Sequence, residues 1–130
     1  MISEETKQTL ILSLLGLNKE ETGTDSKVGS NLDQRFTGRK VMVRTYSAGV
    51  HFGTLVEKSG QQAILKDSRR VYYWTHACSL SQLAIEGSKA IGDCKIAMSI
   101  PDILLDRVIE VIPMSDIAIE NLYGAKEWKK

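Results

Sequence analysis

Arg69-Arg70-Val71-Tyr72-Tyr73-Trp74-Thr75-His76 sets two guanidinium groups, three large rings and an imidazole in eight consecutive positions of a chain that is only 6% aromatic. Flat rings stack on a heterocycle, and an arginine fork binds phosphate in two-point geometry. Side by side, these residue types are equipment for holding a nucleotide. Branched and aromatic residues favour extended backbone. The strand period of two would then place Arg70, Tyr72, Trp74 and His76 on one face and Arg69, Val71, Tyr73 and Thr75 on the other. The plainer alternative is a core strand with solvated arginines at its entrance.

The stretch leads into Ser79-Leu80-Ser81-Gln82, the pattern of a helix capping box, whose free N–H groups attract anions. With Tyr72 and Trp74 against a base, phosphates would fall near Arg69, Arg70, Ser79 and Ser81. Alternatively, Ser79 and Gln82 satisfy only their own backbone. Arg44 and Tyr46 lie two apart on another predicted strand, beside the small, permissive Ser47-Ala48-Gly49 turn.

Reactive chemistry finds little support. His76 and Cys78 share a strand face, but adjacent positions on one face hold a thiol and its base too far apart, and no third group orients them. His51, His76, Cys78 and Cys94 match no zinc spacing. There is no glycine-rich phosphate loop and no Gly-x-Ser-x-Gly elbow, and Asp102 and Asp106 stand without partners. A binding protein with no catalytic residue, metal or cofactor is the expectation.

These groups need a scaffold. The 130 residues are 42% hydrophobic and 25% charged, which suits one globular domain able to bury a core. A net charge of +1 offers no footprint for duplex nucleic acid or an anionic membrane. Two cysteines, no secretory signal and no long apolar run point to a reducing cytoplasm. Ser3-Glu4-Glu5 opens a helix with a stripe of Leu10, Ile11, Leu14 and Leu15, and a polar arm follows, so residues 1–38 form one region and residues 39–130 the ligand-binding domain. In the latter, strands are expected over Lys40–Tyr46, Val50–Glu57 and Gln62–Lys66. A turn at Asp67-Ser68 leads to the aromatic strand. A helix runs from Ser79 to Gly87, a strand spans Cys94–Ile100, Pro101-Asp102 breaks the chain, Leu104–Ile112 is extended, and Ser115 caps a last helix. The fold class is α+β: an antiparallel meander with one face buried, two short helices packed on it, and the N-terminal amphipathic helix.

Three blocks, Val43 to Gly53, Arg69 to Trp74 and Ser79 to Ala84, resemble those of the phage-encoded Thoeris anti-defence proteins of the first type, over roughly residues 39–128. The resemblance implies a sponge that binds, without degrading it, the cyclic ADP-ribose-type signal of bacterial TIR enzymes, with some members also holding cyclic dinucleotides or trinucleotides. It implies a homo-oligomer, dimer or hexamer, with pockets near subunit boundaries, working in the cytoplasm of the infected host. Carried onto this chain by type and block, it assigns Tyr73 and Trp74 to base stacking, Arg44, Arg69 and Arg70 to phosphates and Gln82 to polar contacts. Arg107 is assigned to a second site. With Tyr46, His76 and Ser79 from the residue reading, these are the candidate ligand-binding residues. The alternatives are a single-stranded nucleic-acid-binding module, which also stacks bases on aromatic strands, a nucleotide-processing enzyme, and a phage structural protein.

Overall fold

A computed structural model describes residues 32–129, so the N-terminal helix expected from Ser3 lies outside the described residues. Strand β1 (Lys40–Thr45) carries Val41, Met42 and Val43, all fully buried. Successive strand side chains point to opposite faces, so three buried residues in a row demand a core on each side. Met42 joins Val50, Phe52, Val71, Leu83, Ala118 and Leu122 in one core. Val41 and Val43 join Leu55, Ala63, Leu65, Leu105 and Val108 in the other. The expected one-sided meander is corrected here: β1 is covered on both faces.

The sheet has six antiparallel strands. Strands β2 (Val50–Ser59) and β3 (Gln62–Tyr73) form a long hairpin beside β1. The far edge of β3 is shared by the short β4 (Lys95–Ile96) and by β5 (Ile100–Leu105), while β6 (Val108–Pro113) pairs with the opposite edge of β1. Across the body the order is therefore β5-β3-β2-β1-β6, yet β5 and β6 are joined by Asp106-Arg107 alone. Leu105 and Val108 can be no more than about 10 Å apart. The sheet must curl until its outer strands come close, a partly open barrel whose interior is the second core.

Several predicted boundaries shift for that reason. Asp67-Ser68 is no turn: β3 continues through it, and Asp67 sits at φ +52° where the pairing register with β2 slips. A bulge bends a strand without reversing it, and the bend lets one half of β3 pair with β5 and the other with β4. Opposite it, a Cβ on Gly53 would come within 2.8 Å of the Lys66 carbonyl oxygen, so the close approach needs glycine. The strand expected over Cys94–Ile100 stops at Ile96, and Ala97-Met98-Ser99 arches out of the sheet before β5 begins. Pro101 lies inside β5, tolerated because β5 pairs only with β3. The segment expected over Leu104–Ile112 is two strands with a sharp turn at Arg107 (φ +53°).

Helices α1 (Leu80–Glu86) and α2 (Asp116–Tyr123) cover the first core with Leu83, Ala84, Ala118 and Leu122. Ser79 Oγ accepts from Gln82 N (3.1 Å) and Ser115 Oγ from Ala118 N (3.1 Å), each satisfying a free helix donor. Asn121 of α2 holds the exit of α1 by accepting from Ser88 N (2.9 Å) and donating to Ser88 O (3.0 Å). The compact body also reaches back before Arg39: Phe36 packs on the barrel core, and Asp33 pairs with Lys58 (3.5 Å). No helix among the described residues is long and apolar enough to cross a membrane.

Candidate functional site

The two adjacent arginines part ways. The bulge at Asp67 sets the parity of the second half of β3, so Arg69 and Val71 turn towards the helices. Arg69 is 3% exposed. Its Nε donates to Ala97 O (2.7 Å), Nη1 to Ala125 O (2.9 Å), Tyr123 O (3.2 Å) and Leu122 O (3.3 Å), and Nη2 to Ile96 O (3.3 Å). A cation at the carbonyl end of α2 completes the helix and complements its dipole. Burial lowers the Arg69 pKa from its ordinary value, against the opposing pull of the Glu127 carboxylate and of Tyr123. Arg69 is thus a clamp, not a phosphate ligand, and that assignment is corrected.

Arg70 turns the other way. Together with His51, Ser68, Tyr72, Ala97, Met98, Ile100 and Ile103 it lines a cleft of about 220 Å³ at the mouth of the barrel. Ile103 packs on the barrel core as well, so the cleft is the unfilled end of that interior. The Arg70 guanidinium lies 5.0 Å from the centroid of the Tyr72 ring. Gly49 is close as well: a Cβ added there would stand 3.3 Å from Nε and Nη2. Gly49, at φ +88°, adopts a conformation that favours glycine, and a side chain there would press on the guanidinium. A guanidinium packed near a backbone and a ring has less freedom to lose when a ligand arrives.

His51 sits directly across from Arg70 in the β2–β3 register. Its Nε2 donates to Ala48 O (2.9 Å), which fixes the proton on that nitrogen. Its pKa is lowered, first by burial and further by the Arg70 charge, against the Ala48 hydrogen bond, so the ring is neutral at pH 7. Ser68 is 1% exposed and its Oγ has no hydrogen-bond partner. No carboxylate is among the described residues that line the cleft.

At the rim, Tyr72 is 53% exposed and its ring centroid lies 5.2 Å from that of Trp128, tilted by 52°. Trp128 arrives on the C-terminal tail, fastened to the edge of β4 by Trp128 N donating to Ile96 O (2.8 Å) and by the Arg69 bond to Ala125 O. Lys95 Nζ stands 5.6 Å from the Trp128 ring and 6.0 Å from that of Tyr73, which is half exposed. The result is an aromatic and basic surface running outward from the cleft.

Of the candidate ligand-binding residues only Arg70 lines the cleft, together with Tyr72, which the residue reading also set against a base. Tyr73 stands on the adjoining rim. Trp74 falls one residue beyond β3, packs against the helical core and donates Nε1–H to Ala77 O (3.3 Å), so its stacking role is not supported by its placement. His76 is exposed at φ +63° beside Thr75 Oγ1. Ser79 caps α1, and Gln82 Oε1 accepts from Cys78 N (2.7 Å) while Nε2 donates to Glu86 Oε1 (3.0 Å), the plainer alternative for both. Arg44, Tyr46 and Arg107 gather elsewhere: Arg44 Nε pairs with Glu110 Oε1 at 3.0 Å, and the Arg107 guanidinium is 5.6 Å from the Tyr46 ring. They form an exposed group outside the cleft lining. His51, Ser68, Met98, Ile100, Ile103 and Trp128 were missed as site residues. Only Tyr72 carried a local signal, its shared parity with Arg70.

Among the described residues no three His, Cys, Asp or Glu side chains gather to hold a metal. The family model described as a domain of unknown function, DUF6948, matches residues 38–122, more than half of the chain, and the chain belongs to that family. The match includes the whole cleft lining and stops short of Trp128. No curated protein matches the chain.

Proposed function

We propose that this member of the DUF6948 family binds and sequesters a small cyclic nucleotide, of the cyclic ADP-ribose type that the Thoeris anti-defence resemblance implies, without transforming it. The observation that carries this reading is Arg70, packed near both Gly49 and Tyr72 in a cleft with no carboxylate among its described lining residues. A fixed fork beside an exposed ring suits a phosphate next to a base. The apolar walls of Met98, Ile100 and Ile103 suit a flat heterocycle. His51, across from Arg70 in the lining, donates its Nε2 proton to a backbone carbonyl, an arrangement that suits holding rather than proton transfer.

Size bears on assembly. Pockets that enclose a drug-sized ligand run to roughly 300–1,000 Å³, and the cleft holds about 220 Å³. One chain therefore covers a ring and little more, and the rest of a cyclic dinucleotide-sized ligand would lie across Tyr72 and Trp128. A second copy closing over that surface would desolvate and strengthen the contacts. A homo-oligomer, dimer or hexamer, acting in the cytoplasm of an infected bacterium is the corresponding proposal, with Arg44, Tyr46 and Arg107 as a separate anion-binding group.

Titration calorimetry with cyclic ADP-ribose, then heat release and chromatography of the small molecule, tests the reading. Expected are saturable binding and recovery of the intact compound. Arg70→Ala should weaken binding by roughly 10- to 150-fold, the loss of one charged hydrogen-bonding group. Absence of binding, or recovery of a cleaved product, would refute it.

A second reading has its own observation: the run of exposed rings at Tyr73, Tyr72 and Trp128, with Lys95 between them, resembles a stacking platform for a single strand. Binding of labelled oligouridine that weakens steeply with added salt would favour it over the sponge.

A further inference from the structure

Ser68 Oγ and His51 Nδ1 in the cleft lining have no hydrogen-bond partner among the described residues, and they are complementary in kind. Ser68 Oγ is buried with no hydrogen-bond partner among the described residues, and a buried hydroxyl left unpaired is costly. A native fold rarely retains such a group without a use. His51 has given its one N–H to Ala48 O, which leaves Nδ1 with a lone pair, and no described group donates to it. Burial and the neighbouring Arg70 charge keep that ring neutral and therefore an acceptor.

Their placement follows from the register. His51 stands opposite Arg70, and Ser68 precedes Arg70 by two residues on the same strand, so all three share one face. Diagonal neighbours of this kind lie about 7–8 Å apart at the backbone, a span that one edge of a single ring can bridge through two hydrogen bonds. Met98, Ile100 and Ile103 supply apolar contact for the faces of that ring.

We propose that Ser68 Oγ and His51 Nδ1 read the edge of an amino-substituted heterocycle inserted into the cleft, the hydroxyl donating to a ring nitrogen and the imidazole accepting from the adjacent amino group. This rests on the nucleotide-binding reading above and adds the ligand's orientation: ring edge inward, phosphates outside against Arg70. A ring bearing an oxo group at the same place brings an acceptor against an acceptor. Sites built on a buried hydrogen bond reject the analogue that cannot make it far more strongly than apolar pockets reject a size change.

The test compares cyclic ADP-ribose with its inosine analogue, joined through the same ring nitrogen, in which oxo replaces amino. Calorimetry on the full chain should give at least tenfold tighter binding of the amino compound. Ser68→Ala should weaken binding of the amino compound at least fivefold, while the melting temperature of the free protein holds or rises, because an unsatisfied buried hydroxyl is gone. A serine serving only the fold would not move the two quantities in this way. Equal affinities for the two compounds, or Ser68→Ala binding like the parent, overturn the edge reading and leave nucleotide binding standing. No binding of either compound overturns both.

Discussion

Replacing Arg69 by methionine, and separately Arg70 by methionine, asks two neighbouring residues of one type to behave as opposites. The Arg69 guanidinium makes two short bonds, to Ala97 O (2.7 Å) and Ala125 O (2.9 Å), and three longer ones to Ile96, Leu122 and Tyr123 carbonyls. Charged hydrogen bonds contribute about 1.5–3 kcal/mol each, so the short pair alone is worth roughly 3–6 kcal/mol. Methionine also removes a buried cation, whose desolvation offsets part of that gain. A net loss of about 3 kcal/mol remains. In a domain of this size each kcal/mol moves the melting temperature by roughly 4–8 °C, which puts Arg69→Met about 12–24 °C below the parent. Arg70 makes no such bonds among the described residues and borders the cleft, so Arg70→Met should melt within about 4 °C of the parent. Because Arg69 also holds the tail, Arg69→Met should shift Trp128 emission to the red by freeing it from Tyr72. Thermal melts followed by circular dichroism, with tryptophan emission on the same samples, read both. Arg69→Met melting within 4 °C of the parent would refute the clamp and reopen Arg69 as a ligand residue.

Two further outcomes are expected. Trp128→Ala and Tyr72→Ala should each weaken cyclic ADP-ribose binding by about 1–3 kcal/mol, the worth of one stacked base, with little change in melting temperature, since both rings lie at the exposed rim; calorimetry checks this. Stability should fall at both ends of the pH scale. The depressed His51 pKa means that the unfolded chain binds a proton below pH 6.5 that the folded one resists, so stability is complete above that pH and falls as acid is added towards the folded pKa. The Tyr123 phenol, pushed up to about 12 mainly by burial with Asp67 adding and Arg69 opposing, keeps its proton while the unfolded phenol loses it from about pH 10. That contribution is complete below pH 10 and is lost towards pH 12. Urea denaturation across the pH range checks both limbs, and His51→Phe should flatten the acidic one.

Much of the fold was legible because the signals were local. The apolar runs at Val41–Val43 and Val50–Phe52, the Ser79 and Ser115 caps and Gly87 depend on residues within a turn or a strand of one another, and the elements formed where they pointed. Even Gln82 met the backbone of its own helix entrance. What failed was anything decided by a distant partner. β3 runs through Asp67 because β4 and β5 together cover its other edge, and Pro101 enters a strand because that strand lies at an edge.

The site divides in the same way. From composition and parity alone the chain disclosed an aromatic, basic strand with Arg70 and Tyr72 on a common side. Tertiary structure decided which arginine was free: the carbonyls that claim Arg69 lie up to 56 residues along the chain. It decided equally that the ring beside Tyr72 would be Trp128, brought by the tail, and not Trp74. Residue types and short-range periodicity state what chemistry a segment can offer. Which of those groups remains unspent depends on the carbonyls, rings and edges that folding brings against it.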